Sequence, residues 1–268
     1  MAAFPAPVIA VVHLLPLPGS PGYGGRMGRV IDRALADART YAAGGVNGVI
    51  LENYGDTPFL KQDLEPETVA ALAICAAAVS TQVGLPLGIN ALRNDARAAL
   101  GVAAAAGAAF IRVNVHAGVV ATDQGLIEGR AAETLRARAA LGLKTAIAAD
   151  VHVKHGRPLF GGDLAHAARD LIQRNGADAL IVSGAATGEP TDFADLKEAR
   201  KALPRATILA GSGVTRDSVA DVLAIADGVI VGTALKRGGR TDAAVDPARV
   251  RAFVRAAKAA SRKRRRSR

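Results

Sequence analysis

One short segment recurs along this chain and limits its architecture more than any other feature: the end of an alanine-rich run, a glycine, then an apolar run. It appears as Ala43-Gly44-Gly45-Val46-Asn47-Gly48-Val49-Ile50-Leu51, as Ala106-Gly107-Ala108-Ala109-Phe110-Ile111-Arg112-Val113 and as Asn175-Gly176-Ala177-Asp178-Ala179-Leu180-Ile181-Val182. A shortened copy lies at Ala226-Asp227-Gly228-Val229-Ile230-Val231. Glycine at a helix end supplies a left-handed turn, and an apolar run without alternation is a strand buried on both faces, as in a parallel sheet covered by helices. The copies return roughly every 50 to 70 residues, the length of two βα units.

Reading between the copies gives eight strands, near Val8–His13, Gly48–Asn53, Pro86–Asn90, Phe110–Val115, Thr145–His152, Ala179–Ser183, Thr207–Ala210 and Gly228–Val231. Amphipathic helical runs fall between them, around Arg29–Ala43, Glu67–Gln82, Asp95–Ala106, Glu128–Leu141, Leu164–Asn175, Asp192–Ala202, Arg216–Ile225 and Pro247–Ala260. The 268 residues fit one α/β domain, a (β/α)8 TIM barrel, for which about 250 residues is typical. An open doubly wound sheet would place a glycine-rich turn directly between its first strand and helix; here His13-Leu14-Leu15-Pro16-Leu17-Pro18-Gly19-Ser20-Pro21 leads into a long proline-rich loop. We expect the barrel over residues 1–260 and a basic, disordered tail over 261–268.

Composition bears on the interior and on partners. Half the residues are hydrophobic but only 3% are aromatic and Trp is absent, so Ala, Val, Ile and Leu must fill the barrel layers. The formal charge of +10 looks like a nucleic-acid signal until it is located. Six basic residues, Arg262, Lys263, Arg264, Arg265, Arg266 and Arg268, fall in the last seven positions, leaving 28 basic against 24 acidic residues in the body. Such a run is expected to be a solvated tail, and no aromatic residues interleave it to stack bases, so no specific nucleic acid is expected. The single Cys75 cannot form an intramolecular disulfide and, within an apolar helix, reads as a small core residue. No uninterrupted apolar stretch of about 18 residues occurs, and Val8–Val12 is too short for a signal-peptide core. A cytoplasmic, homo-oligomeric protein without a transmembrane segment is expected.

In a barrel, chemistry gathers at the C-terminal strand ends. In order these carry His13, Glu52, Asn90, Asn114 and His116, Asp150 and His152 with Lys154 just beyond, Ser183, Ser212 and Thr233. The seventh and eighth strands end in Gly211-Ser212-Gly213 and Gly232-Thr233, where backbone N–H groups free of Cβ obstruction can converge on a phosphate. Either glycine turn alone is also what a tight strand-to-helix connection requires. Glu52 is the candidate general base, with pairing to Arg112 as its alternative. Asp150 and His152, two apart on one strand, read as a base with its orienting partner or, with Glu52, His13 and His116, as ligands of a divalent metal; no HExxH or CxxC spacing supports the metal. Lys154 and Ser183 are candidate substrate contacts, and Lys236 is undecided between ligand and solvent. The expected layout has Glu52 or Asp150 removing a proton, His116 or His152 returning one, and Asn90 and Asn114 bonding a developing enolate oxygen on a small phosphorylated metabolite.

The proline-rich first loop, Glu52-Asn53, Gly88-Ile89-Asn90, Ile111-Arg112-Val113-Asn114, Asp150-Val151-His152-Val153-Lys154-His155 and Gly211-Ser212-Gly213-Val214 together resemble the BtpA/SgcQ family, over about residues 8 to 255. The resemblance implies a barrel similar to ribulose-phosphate-binding TIM barrels, with a phosphate site. It also implies an alternative to isomerase, epimerase or lyase chemistry: one branch is linked to photosystem I biogenesis as a peripheral membrane factor. The basic tail lies outside the family pattern.

Overall fold

Apolar strands that must be covered on both faces close here into a ring. The computed structural model describes residues 4, 6–153, 155–159, 163–184 and 192–266. The elements run β1 (Val8–His13), α1 (Met27–Gly44), β2 (Gly48–Glu52), α2 (Pro66–Val83), β3 (Leu87–Asn90), α3 (Ala96–Ala106), β4 (Phe110–Val113), β5 (Val119–Thr122), β6 (Gly125–Glu128) and α4 (Ala131–Ala140). They continue with β7 (Ala146–Val151), β8 (Gly156–Pro158), α5 (Leu164–Arg169, extended by a π turn), β9 (Ala179–Val182), α6 (Phe193–Ala202), β10 (Thr207–Ala210), α7 (Val219–Ile225), β11 (Gly228–Val231) and α8 (Pro247–Arg266). Eight parallel strands form a closed barrel in the order β1-β11-β10-β9-β7-β4-β3-β2. The repeated glycines act as read from the sequence: Gly45 and Gly107 cap α1 and α3 in the left-handed conformation.

Strand alternation divides the core in two. Ile9, Val11, Ile50, Phe110, Ile181, Leu209 and Ile230 fill the barrel interior, while Val49, Leu51, Ile111, Ile147 and Val182 face the helices. Phe110 occupies so much of the centre that a Cβ on Gly88 would lie 2.3 Å from its ring, which is why β3 carries glycine there. Phe4 closes the bottom against the same ring, centroids 5.5 Å apart. Helix α2 is, by length and composition, apolar enough to cross a membrane, yet it serves as a ring helix whose Thr68, Leu72, Cys75 and Val79 are buried. Burial pushes the Cys75 thiol up to about 12, in keeping with a core residue.

Two features depart from the sequence reading. Strands β5, β6 and β8, from two different βα connections, form a small antiparallel sheet over one side of the mouth, and Glu128, expected to open a helix, ends β6. Helix α8 continues to Arg266, past the expected boundary at residue 260. Lysine and arginine are good helix formers, and Arg264 reaches the free carbonyls at the end of α7, donating to Leu223 O at 3.3 Å, to Ala226 O and to Asp227 at 3.0 Å.

Candidate functional site

Register decides which polar residues meet. His13 is aligned with Glu52 and Glu52 with Asn90, so the ends of β1, β2 and β3 stand side by side, and Asn90 Nδ2 donates to Glu52 Oε2 at 3.2 Å. On β4 the inward positions after Phe110 are Arg112 and Asn114, and both turn to Asp150 on β7. Arg112 donates through Nε and Nη2 to the two carboxylate oxygens, each at 2.9 Å; Asn114 Nδ2 adds a bond at 3.0 Å and Ser183 Oγ another at 2.6 Å. Burial opposes the charge on Arg112, but Asp150, with Glu52 beyond it, outweighs that and holds its pKa above the ordinary value.

This network revises several expected roles. Asp150 receives four donors and is a fixed counter-ion, not a carboxylate ready to take a substrate proton. Ser183 is engaged on Asp150 instead of reaching toward substrate. One N–H of Asn90 and one of Asn114 are given to carboxylates, which fixes each amide's orientation, since an oxygen turned toward a carboxylate would be repelled. Each Oδ1 is buried and without a partner among the described residues, so these amides offer a ligand an acceptor beside their second N–H.

Two of the three histidines also part from their expected positions. His116 is fully buried, with Nε2 2.9 Å from the Asn175 carbonyl oxygen, and its pKa is lowered chiefly by burial; it lies away from the mouth cavities. His152 follows the last residue of β7 with φ of 52°, so strand alternation no longer sets its direction, and it stands within electrostatic reach of Asp195 in the first turn of α6. Lys154 lies outside the described residues. Among the described residues no three His, Cys, Asp or Glu side chains gather as metal ligands, so the set His13, Glu52, His116, Asp150 and His152 is not brought together.

The remaining candidates do converge. Gly211, Ser212, Gly213, Gly232 and Thr233 line one cavity of about 620 Å³ together with His13, Glu52 and Arg112. The glycines there also have close neighbours: a Cβ on Gly232 would lie 2.5 Å from His13 Cε1, and one on Gly211 2.9 Å from Ile230 Cβ. Each turn therefore has a packing reason as well as an open backbone. Arg216 and Arg249, which the sequence reading did not single out, add two guanidinium groups to the cavity wall.

Sequence reasoning also passed over Tyr54. Its ring meets that of His13 edge-on, centroids 4.9 Å apart, and its phenol lies near Thr241, whose hydroxyl is 2.8 Å from that of Thr233. Burial, then the Glu52 charge, raises the Tyr54 pKa. An aromatic residue two positions past a strand end, in so aromatic-poor a chain, was the available signal. Lys236, for its part, is turned away from solvent: fully buried, it donates to Asp37 of α1 at 3.1 Å, and Asp37 also accepts from the Val245 N–H at 3.2 Å.

Fold and site together define a single-domain (β/α)8 barrel with a charged, glycine-walled cavity at its C-terminal mouth. The BtpA family model matches residues 5–259, and the chain belongs to the BtpA family. The photosystem I biogenesis protein BtpA of Synechocystis sp. PCC 6803 is 50% identical over 250 residues, covering 93% of this chain and 87% of the relative. The sgc region protein SgcQ of Escherichia coli K12 is 34% identical over 250 residues, covering 92% of each. Among solved structures, thiamine phosphate pyrophosphorylase from Pyrococcus furiosus superposes with a TM-score of 0.59 at 12% identity, covering 95% of this chain and 96% of that one. Phosphoribosyl anthranilate isomerase from Thermococcus kodakaraensis gives 0.56 at 14% identity, covering 93% and 97%. At these identities the likeness is one of fold.

Proposed function

We propose that the protein is a cytoplasmic, homo-oligomeric enzyme that binds a small phosphorylated metabolite, a sugar phosphate or a nucleotide-derived phosphate, and carries out acid/base isomerase, epimerase or lyase chemistry. The observation that carries this reading is the convergence of both glycine turns with His13, Glu52 and Arg112 on one cavity. Backbone groups of Gly211, Ser212, Gly213, Gly232 and Thr233 hold the phosphate, with Arg216 and Arg249 supplying positive charge. That anchoring fixes the reacting carbon near Glu52, which removes the proton; His13 beside it returns one; Arg112, its charge secured by Asp150, stabilises negative charge developing on the substrate. Asn90 holds the Glu52 carboxylate in place.

Proton transfer is measurable before the product is known. The full-length protein is incubated with a panel of sugar phosphates in D2O and carbon-bound deuterium is read by mass spectrometry. Wild type should exchange at least one panel member; Glu52→Gln should lose the exchange while retaining the thermal shift given by that compound. Exchange that persists in Glu52→Gln removes Glu52 from the role of base.

The 50% identity to a protein named for photosystem I biogenesis favours a second reading, an assembly or stability factor that keeps the barrel and phosphate site for ligand sensing. Capture of a membrane partner from native membranes, with no deuterium exchange on any phosphorylated compound, supports it over the enzyme.

A further inference from the structure

A second cavity, of about 520 Å³, lies on the other side of Glu52, and its walls differ from those of the first. Six phenylalanines and three tyrosines are the whole aromatic complement of the chain. Tyr41, Phe110 and Phe253 are fully buried in the core, as expected where large side chains are scarce. Phe4, Tyr23 and Phe193 are half-buried and pack against the core; Tyr54 and Phe59, also half-buried, sit on the β2–α2 connection with ring centroids 6.5 Å apart, and both line the second cavity. Ring faces left partly open are costly unless something covers them.

The rim of the same cavity is polar. Arg93, His155 and Gln124 line it, and Gln124 Nε2 donates to the neighbouring Asp123, which turns Gln124 Oε1 away as an acceptor that is buried and unpartnered among the described residues. Gln124 sits at the tip of the β5–β6 hairpin, part of the small sheet that a bare barrel does not need and that walls this side of the mouth. Aromatic faces with donors and acceptors at the edge suit a flat ring with hydrogen-bonding edges; an acyl chain would leave the rim unmatched, and the puckered face of a sugar covers an aromatic ring less fully than a flat ring does. Glu52 lines both cavities, and Tyr54 lies near the Thr241–Thr233 hydroxyl pair of the second glycine turn.

We infer that this compartment receives a planar heterocyclic ring carried by the phosphorylated substrate, with the phosphate in the glycine-walled cavity and the bond between the two halves lying over Glu52. The inference rests on the phosphate reading above, and the test separates the two. Affinities of the full-length protein are measured by calorimetry for ribose 5-phosphate, for uridine and adenosine 5′-monophosphates, and for the two free nucleosides. At least one monophosphate should bind about tenfold or more tighter than ribose 5-phosphate; Phe59→Leu should remove about tenfold of that gain without changing ribose 5-phosphate binding, and Tyr54→Leu should remove a similar share of it. Phe59 on its loop provides the second variant should Tyr54→Leu fail to fold. If ribose 5-phosphate binds and neither ring adds affinity, or if the gain survives in both variants, the ring compartment is wrong and the phosphate reading stands. Nucleosides that bind as tightly as their monophosphates, in a Tyr54-dependent way, keep the compartment and overturn the phosphate reading. Absence of binding by every probe overturns the inference.

Discussion

Asp150 and Glu52 are both carboxylates at the ends of barrel strands, 4% and 3% exposed, yet their neighbours give them opposite work. Asp150 is enclosed by a bidentate arginine, an amide and a hydroxyl and lines neither mouth cavity; Glu52 is steadied by the Asn90 amide and borders both. Residue type and strand position alike, the difference comes from the adjacent strand: β4 presents Arg112 toward β7, and β3 presents the Asn90 amide toward β2. A saturated ion pair fixes geometry, while a carboxylate on a cavity wall can exchange a proton with what enters.

The largest expected effect tests the Glu52 half. Glu52→Gln should slow proton exchange by about 10²- to 10⁴-fold, the usual worth of a general base, with melting temperature nearly unchanged; a variant that melts early would make Glu52 structural and collapse the contrast. Asp150→Ala should do the reverse and strand Arg112 as a buried, unpaired charge, at about 3–5 kcal/mol and a melting temperature lower by roughly 10 °C. Smaller by design is Asn114→Ala, which removes one of the four donors to Asp150 and should cost about 1–2 kcal/mol in urea denaturation; a neutral result would mean Arg112 and Ser183 suffice.

The smallest effect concerns His116, another strand-end residue whose neighbours reassigned it. Burial depresses its pKa, so below about pH 6.5 the unfolded chain takes up a proton that the fold refuses. Stability contributed by the neutral imidazole is therefore present above the unfolded pKa and lost as pH falls below it. Between about pH 7.5 and 5.5 the loss should be at most ~1.4 kcal/mol, and His116→Gln should flatten the curve by that amount. An equal slope in both proteins would place the acid sensitivity elsewhere.

These contrasts mark where sequence reading ended. The eight barrel strands were legible to within one or two residues because glycine-capped helix ends and unbroken apolar runs repeat with a period. The small sheet was not: Val119–Thr122 and Gly125–Glu128 are four residues each, and Glu128 before an alanine-rich run has the look of a helix start. The polar ring was legible as a set of residue types, and both glycine turns do share a cavity with Glu52 and His13. What no spacing revealed was pairing across strands, which gave Asp150 to Arg112, turned the Asn90 and Asn114 oxygens outward from their carboxylates, and drew His116 to the Asn175 carbonyl. His152 failed for a different reason: the argument from alternation holds only while the chain remains extended, and its φ of 52° ends the strand one residue early.

The Lys236–Asp37 ion pair has a consequence for how the barrel closes. Lys236 follows the second glycine turn by three residues, and Asp37 belongs to the first helix, so the last connection of the ring is moored to the first across the seam where the chain's two ends meet. The position of Gly232 and Thr233 is thereby set by a segment some two hundred residues earlier. A half-barrel made from the later strands alone would own all five residues of the glycine-walled grip and lack the post to which one side of it is tied.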